Sequence, residues 1–450
     1  MSYIGANPQT QTFISGTDYF NGDGTTTAFT LSRRVNSVND VEAVINNVEQ
    51  QPNTAYNISG NTITFTSAPS AGSSNIYVRY LSTTTQSITP SQNTVSYSTL
   101  NSDNQSKLGI SFKNRIINGA MAIDQRNAGA SVTPTVNTYT LDRWNANISQ
   151  ASKISIQQNA GSVTPPVGFS NYLGVTSLAA TSLGAGDYYI IQQPIEGYNI
   201  ADLNWGSANA KTVTLSFWVR SSLTGTFGGS FSNSGGNRSY PFTYTISSAN
   251  TWQQISVTIP GDTAGTWLTT NGLGIVIYLA VGVGTTYSGT AGTWAAANYG
   301  SATGATSVVG TSGATWYITG VQLEVGTQAT TFDYRSIGTE LALCQRYYYQ
   351  NTASTDGSIS VGLSAGGVIN STTAVTYTQF PVTMRANPTF TSGPFGNFDW
   401  RDGAGSQAPT NLTSTTGPSS AMIAVTLAGT VVIGYGGILR GGLIKYSAEL

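Results

Sequence analysis

The stretch Thr212–Val219, TVTLSFWV, sets apolar Val213, Leu215, Phe217 and Val219 against Thr212, Thr214, Ser216 and Trp218. Successive side chains of an extended chain point to opposite faces, so this period of two describes a strand with one face turned to a core. The pattern recurs at Ile255, Val257 and Ile259, interleaved with Ser256 and Thr258. It predicts an all-β fold, with a central jelly-roll sandwich over residues 112–338. From Thr263 to Leu323 no charged residue occurs, so that segment is expected to be core strand and uncharged loop.

Upstream, Ile63 and Phe65 flank Thr64, and Ile76, Val78 and Tyr80 interleave with Tyr77 and Arg79. Asn21-Gly22-Asp23-Gly24 suits a tight hairpin, and Pro69 with Gly72 marks another connection. Residues 1–83 therefore read as a small N-terminal β-sandwich. Residues 84–111 are rich in Ser, Thr, Asn and Gln and read as a linker or neck, whose Val95, Leu100 and Leu108 could pack around an oligomer axis. Thr339 as N-cap, Glu340 at the positive helix end and Leu341–Tyr347 predict a short connecting helix. A distal C-terminal β-domain, 339–450, is read from alternation at Ile359, Val361 and Leu363 and at Val431, Ile433 and Tyr435. No fixed-period repeat supports a β-helix or a triple-helical shaft.

Single cores stop growing at about 250–300 residues, so 450 residues imply several domains. Only 8% of the chain is charged against a usual ~25%, and the net charge is −1. Hydrophobic residues at 39% argue for folding, and so little repulsion between copies favours homo-oligomers. The scattered Lys and Arg argue against nucleic acid. Histidine is absent, removing the usual general base and transition-metal ligand, and the one cysteine, Cys344, permits no intrachain disulfide. These absences lead us to expect a non-enzymatic chain without cofactor or metal. The start, MSYIGANPQT, has no basic and apolar leader, so retention in the producing cell is expected. The most apolar run, Leu273–Val283, is 11 residues long against the ~20 needed to cross a bilayer, so no membrane insertion is expected.

Flat aromatic rings cover the C–H face of a sugar while polar neighbours bond its hydroxyls. Trp267, Tyr287, Trp294 and Tyr299 lie in Gly-rich connections, and Phe398 and Trp400 are read as sharing a loop with Asp399, Arg401 and Asp402. These are the candidate ligand-binding residues, weighed against the reading that such rings cap sandwich cores. Trp144 and Trp218 are assigned to packing. The pairs Asp124/Arg126 and Asp142/Arg143 are expected to tie strands to loops, Asp124 and Arg126 sharing one face of a strand. Asp18, Asn21 and Asp23 offer oxygens to calcium but lack the spacing of a calcium loop. Glycoside hydrolysis needs two flanking carboxylates, and Glu196 with Asp202 or Asp187 were considered. Gly282–Tyr287 begins like a nucleotide-binding fingerprint but has Tyr287 in place of its third glycine.

The run Asn114–Asn127, NRIINGAMAIDQRN, followed by Asp142-Arg143-Trp144, resembles the start of a jelly-roll domain common in phage tail-fibre proteins and similar in outline to carbohydrate-binding modules. Ile318–Gln350, Phe380–Pro388 and the terminal Ser447-Ala448-Glu449-Leu450 are also similar to that family. The resemblance implies a virion tail protein assembled in the host cytoplasm, generally homotrimeric. It would be joined to tail or baseplate proteins by its N-terminal domain and to a host-surface glycan or protein by its distal domains. An envelope-degrading tailspike and a bacterial surface adhesin are the alternatives.

Overall fold

The computed structural model describes residues 16–35, 37–81, 113–352 and 362–450. The linker 84–111 and the alternation at Ile359 and Val361 lie outside the described residues. The chain divides into two compact units, Met1–Thr99 and Leu100–Leu450.

In the first unit β1 (Thr17–Gly22), β2 (Ala28–Thr30), β3 (Val41–Ile45), β4 (Val48–Glu49), β5 (Tyr56–Ser59), β6 (Thr62–Phe65) and β7 (Gly72–Tyr80) form two antiparallel sheets, β1-β7-β3-β4 and β2-β6-β5. Alternate residues Ile63, Phe65, Ile76 and Val78 close on Leu31, Val41 and Tyr56 between them. The hairpin expected at Asn21–Gly24 is not formed. β1 pairs with β7 and β2 with β6, so this turn carries the chain from one sheet to the other. Asp23 Oδ1 accepts the N–H groups of Thr25 (2.7 Å) and Thr26 (2.6 Å), and Gly24 takes φ +77°. The calcium candidates diverge: Asp18 accepts from Ser32 and Tyr80, Asn21 accepts from Ser74 N, and Asp23 serves its own turn.

The second unit begins with the jelly roll, β8 (Thr138–Leu141), β9 (Trp144–Ile148), β10 (Ile154–Gln158), β11 (Leu173–Ser177), β12 (Tyr188–Glu196), β13 (Val213–Ser221), β14 (Gly225–Asn233), β15 (Ser239–Ile246), β16 (Gln253–Ile259), β17 (Leu273–Val283), β18 (Ser288–Gly289), β19 (Ser301–Ala302) and β20 (Thr315–Val325). A five-stranded sheet, β10-β11-β20-β13-β16, packs on a six-stranded one, β15-β14-β17-β12-β9-β8. Val213, Leu215, Phe217 and Val219 enter the core between them, with Ile275, Ile277 and Leu279 of β17. The apolar run Leu273–Val283 is thus a central strand; among the described residues no helix is long and apolar enough to cross a membrane.

The other face of β13 was expected to meet solvent, yet Thr214 and Ser216 are buried. The chain after β20 covers it, Thr214 Oγ1 donating to Gly326 O at 2.8 Å. The run Asn114–Asn127 is a strap and not a strand. Asn114 bridges Val321 O (3.1 Å) and Leu323 N (3.0 Å), and Asn118 holds Ile123 and Asp142 while its own carbonyl accepts from Trp144 Nε1. Asp124 and Arg126 therefore lie in a turn, where Asp124 accepts from Asn127 N and Gly129 N.

Helix α1 (Ile337–Gln345) follows, with Ser336 at the N-cap in place of the expected Thr339. The two hydroxyls bond each other at 2.8 Å, and Glu340 reaches Asn118 N and Arg335. Beyond it β21 (Tyr348–Thr352), β22 (Gly362–Asn370), β23 (Thr373–Gln379), β24 (Thr389–Ser392), β25 (Phe398–Asp402), β26 (Gly405–Gln407), β27 (Pro409–Thr416), β28 (Ser420–Leu427), β29 (Gly436–Gly441) and β30 (Leu443–Ser447) build a seven-stranded sheet, β26-β25-β29-β22-β23-β28-β27, and a three-stranded one, β21-β30-β24. Val431, Ile433 and Tyr435 fall in a turn before β29, with Gly434 at φ +85°.

Charged side chains fasten this distal part to the jelly roll. Arg143, buried at the start of β9, and Arg126 both pair with Glu449, the latter at 2.6 Å. Arg346 pairs with Glu196 through Nε and Nη2, 2.9 and 2.6 Å, while Arg385 donates to Asn271 O, Ala448 O and Glu449 O.

Candidate functional site

The outer face of the six-stranded sheet carries the site. β17 sends Ile275, Ile277 and Leu279 inward, so alternation turns Tyr278 outward, opposite Gln192 of β12 and Ser230 of β14. Gln192 in turn faces Asn145 of β9. Beside this polar row Asn147, Tyr188, Ile190, Tyr278, Tyr287, Asn298 and Gly300 line a groove of about 130 Å³. The connection between β17 and β20 forms its far wall. Tyr287 sits in a short 3-10 turn whose hydrogen bond from Ser288 N to Thr285 O fixes its ring against Tyr188, centroids 5.4 Å apart at 84°.

No Asp, Glu, Lys or Arg lines it. Burial pushes the Tyr278 hydroxyl up to about 12, so it remains a neutral donor and acceptor. The hydroxyls of Tyr188 and Tyr287 and the Asn298 amide make no hydrogen bond to other described residues. Half-exposed rings and unspent neutral polar groups can cover the C–H face of an uncharged ring and bond its hydroxyls.

Of the residues singled out from the sequence, Tyr287 alone lines this groove. Trp267 is 7% exposed and stands edge-on to Trp205 and Trp294, its Nε1 donating to Ala264 O. Trp294 packs on Trp205, Trp267 and Tyr240 and donates to Pro260 O at 2.9 Å. These two cap the sandwich, as the packing alternative has it. Tyr299 lies against Gly289. The loop expected around Trp400 is strand β25: Trp400 is wholly buried and Phe398 3% exposed, because alternation turns both into the distal core. Asp399 is tied to Arg440, and Arg401 is exposed with Nη1 on Ser406 Oγ. Tyr188 and Tyr278, missed from the sequence, were signalled by strand phase, since each neighbours an inward residue.

The three carboxylates considered for hydrolysis are all engaged. Glu196 is buried, its oxygens held by Arg346 and by the Tyr347 hydroxyl at 2.6 Å. Asp202 pairs with Arg115 at 2.7 Å. Asp187 accepts from Gln150, Gly184 N and Ser149, which hold its carboxyl below the usual range.

No family model matches the sequence, and no curated protein matches it. Solved structures similar to the chain include the enzymatically active domain of tailspike protein 4 of bacteriophage CBA120 (11% identity, TM-score 0.24), where the match covers 48% of this chain and 22% of that one. A CBM4 structure (14%, 0.24) is matched over 46% of this chain and 98% of its own. The family 11 carbohydrate-binding module of a cellulosomal cellulase from Clostridium thermocellum (12%, 0.23) is matched over 45% and 99%.

Proposed function

We propose that the chain is a non-enzymatic structural protein of a phage tail, a fibre that attaches the particle to host-surface glycan. The uncharged tyrosine groove carries the glycan half of this reading: it is lined by rings, amides and hydroxyls and by no carboxylate, ammonium or guanidinium. The motifs of the strap and of the Glu449 terminus, which resemble tail-fibre proteins, carry the virion half. Attachment to tail or baseplate proteins falls to the N-terminal unit. A single millimolar sugar site is worth only about −4 kcal/mol, and linking copies raises avidity by roughly 10² to 10⁴, so a homotrimer suits the task.

The test is binding of neutral host-envelope oligosaccharides to the purified chain, with Tyr287→Ala as the variant. Binding that falls at least about tenfold in the variant, at unchanged melting temperature, supports the groove; equal binding overturns it. The tailspike reading predicts new reducing ends when host polysaccharide is incubated with the protein. The engagement of Glu196, Asp202 and Asp187 favours their absence. Detection in purified particles by mass spectrometry separates a virion protein from a bacterial adhesin.

A further inference from the structure

The three-stranded sheet of the distal part turns one face inward and the other toward a cleft. Tyr446 and Ile444 of β30 enter the core. The alternate residues Lys445 and Ser447 face outward, in register with Thr391 and Thr389 of β24. On the other side of β30, Ser447 stands opposite Tyr348 of β21. Arg126, from the strap, lies over the Tyr348 ring at 3.7 Å. These six residues line a cleft of about 250 Å³ within the second unit.

Lys445 is half-buried and has no ion pair, hydrogen bond or ring contact with any described residue. An ammonium on a cleft wall that has no counter-charge is open to pairing when an anion enters. Arg126 adds no free charge for that anion, since its guanidinium is already paired with Glu449. Three hydroxyls, of Thr389, Thr391 and Ser447, line the same cleft and can each donate and accept. A phosphate dianion is usually met by a free guanidinium fork or several charges. One ammonium among neutral hydroxyls matches a monoanion that itself carries hydroxyl groups.

We propose that this cleft is a second saccharide site, specific for a sugar carrying a carboxylate: Lys445 pairs with the carboxylate, and the Thr389, Thr391 and Ser447 hydroxyls bond the ring hydroxyls. It shares no lining residue with the tyrosine groove, so the two readings stand or fall separately. The probes are methyl glucuronoside, methyl glucoside and inorganic phosphate, titrated against the full chain by ligand-observed NMR. The glucuronoside is expected to bind, weakening with added salt, while the glucoside and phosphate bind at least about tenfold more weakly. Lys445→Gln should lower glucuronoside affinity about tenfold at unchanged melting temperature, Lys445→Arg should restore most of it, and Tyr287→Ala should leave it untouched. Absence of glucuronoside binding, equal binding of the glucoside, phosphate binding as tight as the glucuronoside, or an unchanged affinity in Lys445→Gln would overturn the proposal.

Discussion

Asp142 shows how one residue sets the behaviour of the junction between strap and distal strands. It is buried, and its two oxygens accept Gln125 N (2.7 Å) and Gln125 Nε2 (2.6 Å). Burial outweighs these bonds and Arg126, pushing the carboxyl up from 3.8 to about 6. Between those values the folded chain holds the proton more tightly than the unfolded one. The stability this group contributes is therefore full below about pH 4 and lost as pH rises through about 6, on the order of 3 kcal/mol in all. Urea unfolding of wild type and Asp142→Asn at intervals from pH 4 to 7 checks this: the wild type should lose stability relative to the variant as pH rises, and parallel curves would refute it. Glu449 is the complementary case. It is the carboxylate for both Arg143 and Arg126, so Glu449→Gln leaves Arg143 buried without a counter-charge. A loss of about 3–5 kcal/mol, read as a lower urea midpoint, is expected.

Among elements, strand phase was legible wherever one face alone is apolar, as in TVTLSFWV, and the jelly-roll core follows from it. What the alternation could not show is what covers the other face. Thr214 and Ser216 are polar yet buried, because a segment more than a hundred residues away lies over them. Phe398–Asp402 misled for a related reason: it reads as a Gly-rich connection carrying charge, but Asp399 is neutralised by Arg440, its ladder partner on β29. Val431–Tyr435 alternates as a strand does, yet Gly434 turns the backbone left-handed there. The groove was half legible. Tyr287 stands in a loop and drew notice, whereas Tyr188 and Tyr278 become neighbours only through β12–β17 pairing. The two kinds of aromatic position should therefore respond differently. Trp400→Ala should cost about 3–5 kcal/mol of stability in thermal or urea unfolding, through the cavity left in the distal core, while Tyr287→Ala should spare stability and lower glycan binding.

At the scale of the whole molecule, the distal seven-stranded sheet carries an apolar face that no described residue covers. Tyr377 pairs with Met422, and Ile438 with Ala365 and Arg401, on the side away from the core. Tyr377 is 63% and Ile438 43% exposed. Exposed apolar patches of this kind mark contact surfaces, and the proposed homotrimer would cover this one. Sedimentation velocity should find a trimer that Tyr377→Glu with Ile438→Glu shifts to monomer; a wild-type monomer at every concentration would exclude it. The near balance of the chain's scarce charges, a net charge of −1 over 450 residues, has a kinetic consequence. Little unbalanced charge remains to steer encounters at a distance. Capture of an uncharged surface should then proceed at an unsteered rate, roughly 10⁵–10⁶ M⁻¹s⁻¹, and change little between fresh water and brine.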